Sequence, residues 1–567
     1  MSESGATARN VNRLHSIRRR FNPAESAEKL QLMRLLINAE VSSCRGLQRL
    51  HDALCFIRAF PDSRSHYSEA RSLLLEFEAR VLKLPAKARA GLADTGISGT
   101  VINYAFSWEL ANWMARRFPG AISIHWEDVE ETSRLEELLE LTLLPSEVDY
   151  FDSGFISSEE WIDLASGNAA GTYFDWLITQ LAHARKGSGL ADKYNAAELA
   201  LAWDLQGSKA CKSLNTLSGA APVGRRIGLR RQPAGVKAVI RRPVDSLRRL
   251  SPRLGRRLID VAMTSMAVRH RETYHFNFAN PHEVYVADIG EGVSIAVLGL
   301  QKEHRFVFEC TMGYLILSNG VPVGYGGASA IFSQLNTGIN IFDEYRGSEA
   351  AFLWVQVMRV FHHLVACERF IANPYQLGSD NVEALQSGAF WFYYRLGYRP
   401  ALAEIRRLAR SEYRQITREN GYRSSLGTLR RLSSTDMHLV LPGARSSALF
   451  EEHWIETSSM LAARQLAAAG GRTRAISAKR VAAQVARDLG LQSLNKWSQA
   501  EKLAFTGLAP VVAAAEPSSW PSEAKQTMRI LLRAKGGAAE VKYARLLAEH
   551  RHFLSALRAK CLLAERL

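Results

Sequence analysis

Arginine is the residue whose clustering in this sequence most directly suggests chemistry. The segment from Gly224 to Arg257 carries a large part of the formal net charge of +16, and Asp245 is its only acidic residue. Clustered guanidinium groups attract phosphate-bearing partners, because each can bind two oxygens at once. No aromatic residue interleaves with these arginines, which disfavours base stacking on single strands. The segment therefore predicts a solvated connector between domains or a contact with nucleic acid or an acidic protein surface.

Several common catalytic signatures are absent from the sequence. There is no G-x-x-x-x-G-K-[ST] phosphate loop, no H-E-x-x-H and no G-x-S-x-G. Their absence argues against the usual P-loop nucleotidases, metalloproteases and serine hydrolases. His362 and His363 are adjacent on an apolar helix, so their side chains point about 100° apart and do not readily share a metal ion. We expect no metal site.

The cysteines and the termini indicate the compartment. Six cysteines lie scattered along the chain without a C-x-x-C pair, as is typical of a reducing environment. The N-terminus is charged and polar and lacks the apolar stretch of a signal peptide. The sequence contains no run of about 18 uncharged apolar residues, so it predicts no membrane span. We therefore expect a cytoplasmic protein with no membrane partner.

The type of secondary structure that the sequence predicts changes along the 567 residues. The length predicts three or four domains, since one domain usually has roughly 100–200 residues. The first two hundred residues and most of those beyond Pro400 carry apolar residues at three- and four-residue spacing, which predicts helices. From Tyr274 onward, short runs rich in valine, isoleucine, phenylalanine and tyrosine are broken by glycine and predict strands.

The strand-rich part has a definite order of elements. Asn319-Gly320 predicts a hairpin, because both residue types tolerate positive φ. The elements that follow are a strand over Val321 to Phe332, a strand over Ile339 to Phe342, a helix over Glu349 to Ala366, a strand over Arg369 to Ala372 and a helix over Asn381 to Leu396. We expect the strands around Ile341 and Ile371 to be parallel neighbours that splay into a cleft, because a helix connects them as a crossover.

Three motifs in this order resemble the second half of the GNAT acyltransferase fold. They are the hairpin SNGVPVGYG, the run from Asn340 to Gly347, and the closing YYRLGY from Tyr393 to Tyr398. The resemblance covers about Tyr314 to Pro400. It implies an α+β protein with a GNAT-like mixed-sheet α/β domain flanked by helical regions. The expected division is a helical domain over 1–215, an arginine-rich connector over 216–258, a GNAT-like acyltransferase domain over 259–402 and a helical region over 403–567.

The resemblance implies an acyl-CoA-dependent N-acyltransferase. Such an enzyme transfers an acetyl group, or another acyl group, directly from acyl-CoA to an amine, which the sequence does not identify. The family pattern places the pantetheine arm along Asn340, Ile341 and Phe342. It places the pyrophosphate on the first turn of the following helix, whose backbone N–H groups point outward. The residues of that cradle are Arg346, Gly347, Ser348, Glu349 and Ala351.

Two residues are candidates for catalytic roles, Tyr393 through the same resemblance and Glu344 through its position near the end of the strand. Tyr393 matches the tyrosine that protonates the departing thiolate in many members; the structural alternative is a tyrosine packed in an apolar run. Glu344 is the candidate base for the amine, since a nearby carboxylate usually accepts that proton. Side chains alternate along a strand, so at most one of Asp343 and Glu344 faces the cleft.

Glu349 departs from the family pattern. The usual loop reads R/Q-x-x-G-x-G/A, and Glu349 stands where a glycine is expected. Its side chain either swings out to pair with an arginine such as Arg346 or Arg369, leaving the backbone amides free, or fills the cradle. The second outcome leads to another interpretation: a catalytically degenerate GNAT-like scaffold whose helical and basic regions bind a protein or nucleic-acid partner.

Overall fold

A computed structural model of the chain describes residues 3–129, 132–184, 189–217, 221–225, 228–444 and 449–566. The chain divides into two compact units. The first comprises Met1–Leu229, Arg257–Asn277 and Ser318–Pro322, and the second comprises Arg230–Arg256, Phe278–Leu317 and Val323–Leu567. The segment expected to be an arginine-rich connector is therefore divided between the two units.

The first unit consists of helices around a small antiparallel sheet. Its sheet has the order β1-β3-β2, with β1 (Val101–Tyr104), β2 (Ile122–Ile124) and β3 (Leu201–Asp204). Its helices are α1 (Glu3–Ile17), α2 (Pro23–Leu35), α3 (Cys44–Ala59), α4 (Arg64–Leu75), α5 (Phe77–Leu82), α6 (Ala86–Ala90), α7 (Trp108–Arg117), α8 (Thr132–Leu139), α9 (Val148–Phe151), α10 (Ser158–Ser166), α11 (Tyr173–His183) and α12 (Leu190–Ala197).

The core of the first unit gathers around Trp203 on the central strand. Trp203 is fully buried, and its ring lies 4.9 Å from that of Phe118 and 6.5 Å from that of Phe106. At the start of α11, the Thr172 hydroxyl oxygen accepts a hydrogen bond from the N–H of Asp175, and the Asp175 carboxylate accepts one from the N–H of Thr172. Trp203, Phe118 and Phe106 thus serve packing.

The remaining helices lie mostly in the second unit. They are α13 (Val236–Arg241), α14 (Pro252–Ala267), α15 (Tyr274–Asn277), α16 (Ala350–Val365), α17 (Pro374–Leu377), α18 (Val382–Ser387), α19 (Ala389–Arg395), α20 (Ala403–Arg418), α21 (Leu426–Leu432), α22 (His453–Ala468), α23 (Arg474–Asp488), α24 (Gln499–Ala514), α25 (Ser522–Lys535), α26 (Glu540–Glu549) and α27 (Arg551–Ala564). Within the described ranges, none of the helices is long and apolar enough to cross a membrane.

A ten-stranded mixed sheet organises the second unit. Its order is β12-β13-β11-β9-β8-β7-β6-β5-β4, and β10 pairs with β8 beside β9. The strands are β4 (Arg248–Arg249), β5 (Ala279–Gly290), β6 (Val293–Leu300), β7 (Cys310–Ser318), β8 (Val321–Ile331), β9 (Gln334–Thr337), β10 (Asn340–Ile341), β11 (Arg369–Ala372), β12 (Arg399–Pro400) and β13 (Met437–Val440). Mixed α/β structure with helical flanks is thereby confirmed, and the sheet extends past residue 402 through β13.

The hairpin and the crossover follow the sequence prediction. Asn319 and Gly320 both have positive φ, at 50° and 76°, and join β7 to β8. β11 runs parallel to β9, and α16 forms the connection between them. The helix predicted over Asn381 to Leu396 is instead two helices, α18 and α19, because Gly388 takes a left-handed φ of 69° between them.

β9 and β10 are two parts of one strand. β9 pairs with β8 from Ala328↔Thr337 to Ile331↔Gln334, and β10 continues in the same register with Asn340↔Tyr325. Ile371 pairs with Asn336 on β9, so the prediction that the strand around Ile341 is its direct neighbour is wrong. β11 ends at Ala372, too early to reach β10, because Pro374 begins α17.

A buried group of charges fixes the last helices to the sheet. Arg305 donates to Glu283 on β5 at 2.9 Å and lies 3.7 Å from Glu540 at the start of α26. Lys535 at the end of α25 pairs with Glu540 and donates to the carbonyl oxygen of Glu309 at 2.8 Å. The four ionic side chains are at most 3 % exposed. Burial raises the pKa of Glu283 to about 7, because it removes water from the carboxylate, although the charge of Arg305 opposes the rise.

Arg305→Met should strongly destabilise the second unit. The substitution leaves two buried carboxylates with Lys535 as the remaining cation, and breaking a buried pair costs about 3–5 kcal/mol. Arg533→Met is the matched control, because Arg533 is half-exposed where it pairs with Glu501, and such pairs contribute about 0–1 kcal/mol. Urea unfolding followed by circular dichroism measures both. Equal midpoints for the two variants would contradict the proposed importance of the buried group.

Candidate functional site

The predicted pantetheine strand has one unpaired edge. Asn340 and Ile341 form β10, which pairs with β8 on one side, and no described strand pairs with its other side. Both residues are half-buried, while the following Phe342 is buried and stacks on Tyr325 at 5.2 Å between ring centroids. A strand edge without a partner presents backbone N–H and C=O groups to an extended chain. This edge can therefore bind a ligand that carries amide groups.

The chain turns sharply between β10 and α16. Asp343 to Tyr345 make one turn of 3₁₀ helix, and Gly347 follows with a φ of 76°, a conformation that favours glycine. Glu349 is the N-cap residue of α16, so Ala350, Ala351 and Phe352 form its first turn. These three residues are half-buried, and the first N–H groups of a helix have no partner within it. The start of α16 thus offers backbone donors for an anion.

Ser348 adds a donor at the same point. Its Oγ is buried and has no hydrogen-bond partner among the residues that the structure describes. A buried hydroxyl without a partner is costly, and an anionic oxygen would satisfy it. Ser348 lies two residues before α16, beside the first-turn amides. Among the described residues, the loop therefore leaves the buried hydroxyl of Ser348 without a hydrogen bond.

The carboxylate of Glu349 contacts the backbone of Arg230 and not the side chain of Arg346 or Arg369, the two arginines predicted as its partners. Glu349 is 1 % exposed, and its carboxylate accepts a hydrogen bond at 2.9 Å from the backbone N–H of Arg230. Its side chain makes no hydrogen bond that caps α16. Its carboxylate is thus directed toward the segment at Arg230, although its negative charge still lies near the start of the helix.

Arg230 belongs to the candidate site, although the sequence indicated it only as a member of the arginine-rich segment from Gly224 to Arg257. This segment is called the basic segment below. The guanidinium carbon of Arg230 lies 4.4 Å from the centre of the Phe352 ring, in the first turn of α16. Its Nε also donates to Glu291 at 3.1 Å. The structure therefore places a cation beside the start of α16, from a residue more than a hundred positions earlier in the chain. No local pattern in the sequence could have indicated this contact.

The guanidinium of Arg346 forms ion pairs with two nearby carboxylates. Its guanidinium lies 2.8 Å from Asp343 and pairs also with Glu383, and its side chain is about half-exposed at 51 %. These pairs direct part of its charge toward acids rather than toward a ligand. Glu344, the candidate base, is 6 % exposed, whereas Asp343 is exposed.

Tyr393 lies in the core next to the interrupted strand. It is 2 % exposed, and its ring lies 5.3 Å from that of Tyr398 and 6.1 Å from that of Trp354. Burial raises its pKa, because water no longer stabilises the phenolate, while a hydrogen bond with the backbone of Ile339 opposes the rise. The hydroxyl is protonated at neutral pH with or without this rise, and the rise makes it a weaker acid. Its contact with Ile339 places it at the junction of β9 and β10.

Tyr314 contacts the strand at this junction. Its hydroxyl donates a hydrogen bond to the carbonyl oxygen of Gly338, which lies between β9 and β10. A Cβ on Gly326, opposite on β8, would lie 2.6 Å from that oxygen, so glycine is required there. Tyr314 was not among the predicted site residues. In the sequence it was one tyrosine within the apolar run that forms β7, and nothing there indicated its contact with Gly338.

The arginines of the basic segment have diverse environments. Arg225 is 2 % exposed, and its guanidinium carbon lies 5.5 Å from the centre of the Phe60 ring. Arg226 lies outside the described residues. Other members are exposed on or near α13, β4 and α14, namely Arg231, Arg241, Arg242, Arg248, Arg249, Arg253, Arg256 and Arg257. Only part of the cluster is thus available to a partner.

Comparison with known proteins found no matching family model, no similar curated protein and no similar solved structure. The function must therefore be argued from the geometry. Within the described ranges, no group of three or more histidine, cysteine, aspartate or glutamate side chains is arranged to hold a metal ion.

The structure brings most of the predicted residues to one face of the second unit. β10, the loop through Gly347 and Ser348, and the first turn of α16 are consecutive, and Tyr393 touches the backbone just before β10. Arg346 forms an ion pair with Glu383, and the guanidinium of Arg230 lies next to Phe352. The candidate site is thus a strand edge that leads to a helix N-terminus.

Proposed function

We propose that this chain is an acyl-CoA-dependent N-acyltransferase with a GNAT-like domain in its second unit. The observation that carries the proposal is the strand shared by β9 and β10. Its first part pairs in parallel with β11, and its second part continues along β8 without β11 beside it. β11 therefore does not run beside Asn340 and Ile341, and their edge away from β8 is the proposed position of the pantetheine arm. An extended pantetheine arm carries two amides that match such an edge.

The start of α16 is the proposed position of the CoA pyrophosphate. Half-buried first-turn amides, the unpartnered Oγ of Ser348 and the guanidinium of Arg230 are all suited to phosphate oxygens. Gly347 and Ala351 carry little or no side chain in the path of the ligand.

The transfer needs two proton movements. The lone pair of the amine attacks the thioester carbonyl carbon, a C–N bond forms, and the C–S bond breaks. Glu344 is the proposed base that accepts the proton from the amine nitrogen. Tyr393 is the proposed acid that gives its proton to the sulfur as the thiolate leaves, a role that rests on the family resemblance. The acceptor is an amine of unassigned identity.

One observation favours the alternative of a degenerate scaffold. The carboxylate of Glu349 is buried at the positive end of α16, where it opposes the approach of a pyrophosphate. In that case the domain would serve as a support for partner binding. The exposed arginines of the basic segment would then be the proposed contact with nucleic acid or an acidic protein.

Ala351→Asp should weaken binding of CoA without loss of stability. An aspartate in the first turn stabilises a helix through its dipole, but it repels a pyrophosphate at the same amides. We expect calorimetry to show binding of CoA to wild type and at least about tenfold weaker binding to the variant, since one tenfold step is about 1.4 kcal/mol. Ala350→Gln is a control for added bulk without charge.

Glu349→Gly separates the two interpretations. Comparable binding of CoA to wild type and to Glu349→Gly supports the enzyme. Binding that appears only in Glu349→Gly contradicts it, because the native carboxylate would then close the site.

Tyr393→Phe should lower turnover by about one to three orders of magnitude with little change in affinity for acetyl-CoA, as expected for a lost proton donor. Release of CoA from acetyl-CoA in the presence of a panel of primary amines measures turnover. Tyr398→Phe is the matched control, since Tyr398 is also buried and its hydroxyl donates to Sδ of Met358 at 3.1 Å. Equal turnover in both variants would make Tyr393 a packing residue.

A further inference from the structure

α20 carries a row of arginines on one face. Arg407, Arg410, Arg414 and Arg418 are spaced by three, four and four residues, and all four are exposed. At 3.6 residues per turn this spacing keeps them within about 80° of one another around the helix. With a rise of 1.5 Å per residue, the row is about 16 Å long. We call these four residues the arginine row.

The opposite face of α20 anchors it to the second unit. Ile405 and Ala409 are buried, and the ring of Tyr413 lies 5.0 Å from that of Tyr394 and 5.8 Å from that of Trp391 on α19. These inward residues lie roughly opposite the arginine row on the helical wheel. The row is therefore presented to solvent by a helix whose apolar side is already covered.

The charges of the row are not neutralised within the fold. Within the described part of the chain, none of the four guanidinium groups forms an ion pair or a hydrogen bond with another residue. Glu412, the acid in the middle of the helix, is turned aside and accepts hydrogen bonds from Tyr422 at 3.1 Å and from Ser424 at 2.7 Å. Arg406 donates to the carbonyl oxygens of Pro400 and Ala401 and so stabilises the helix start.

We propose that the arginine row binds the phosphate backbone of a nucleic-acid duplex. Phosphates of one strand follow each other every ~3.4 Å along a duplex axis, so a row of this length faces about five of them. Contacts to phosphates need only well-placed cations, and guanidinium groups provide paired donors for each one. The proposal concerns a surface that takes no part in the proposed acyl transfer.

Other anionic partners fit this face less well. A helix that binds a membrane must insert its apolar side, and that side of α20 is packed on α19. A protein interface normally has an apolar or aromatic centre, whereas serine and threonine flank the row at Ser411 and Thr417. Single strands stack their bases on exposed aromatic rings, and the row has none.

The test compares binding of a short fluorescein-labelled DNA duplex by three variants of the full chain. The row variant replaces its four arginines by glutamine. A segment variant removes the same charge from the basic segment, and a distant variant, so called because its residues are far from the row along the sequence, removes it from the first unit. The substitutions are R407Q, R410Q, R414Q and R418Q in the row variant, R242Q, R248Q, R253Q and R256Q in the segment variant, and R9Q, R64Q, R71Q and R116Q in the distant variant; all the replaced residues are exposed.

Fluorescence anisotropy at increasing salt should show steep weakening for wild type. Four lost phosphate contacts lower the slope of log affinity against log salt by about 3.6, so the row variant should show that decrease and at least about tenfold weaker binding. The distant variant should keep the wild-type slope. A four-lysine version of the row should retain most of the slope, because its charge is conserved.

Three outcomes would overturn the proposal. One is the absence of binding by wild type at low salt. Another is a row variant that binds like the distant variant while the segment variant loses binding, which would place the contact on the basic segment. The third is displacement of the duplex by poly-glutamate as effectively as by unlabelled duplex, which would indicate an acidic protein partner.

Discussion

Tyr314 donates a hydrogen bond to the carbonyl oxygen of Gly338 at the point where β9 gives way to β10. The register with β8 is the same on both sides of this contact. β11 pairs with the first part of the strand and ends at Ala372, because Pro374 begins α17, so it does not run beside Asn340 and Ile341. The unpaired edge of these two residues leads along the chain into the turn at Gly347 and the start of α16.

The electrostatics of the candidate site depend on a balance at the start of α16. The first-turn amides, which lack a partner within the helix, the hydroxyl of Ser348 and the guanidinium of Arg230, which also pairs with Glu291, favour an anion there, and the carboxylate of Glu349 opposes it. A hydrogen bond from the Arg230 backbone holds that carboxylate. The arginine row of α20 is a separate cationic surface, supported by packing on α19.

The sequence predicted the local elements of the sheet better than their partners. The Asn319-Gly320 turn and the α16 crossover follow from short-range residue preferences, and both are present. The pairing of Ile371 with Asn336 and the contact of Arg230 with Phe352 are long-range, so no local pattern indicated them. The membership of β13 in the sheet was missed for a related reason, since a four-residue strand among helices gives a weak periodic signal.

Hydrogen exchange of the backbone amides, measured by mass spectrometry with and without CoA, tests the central claim most directly. If CoA lies along β10 and on the first turn of α16, exchange should slow at Asn340 to Phe342 and at Ala350 to Phe352. Peptides from the first unit should exchange at unchanged rates. Unchanged exchange at both of these segments in saturating CoA, or slowing confined to other parts of the chain, would contradict the account.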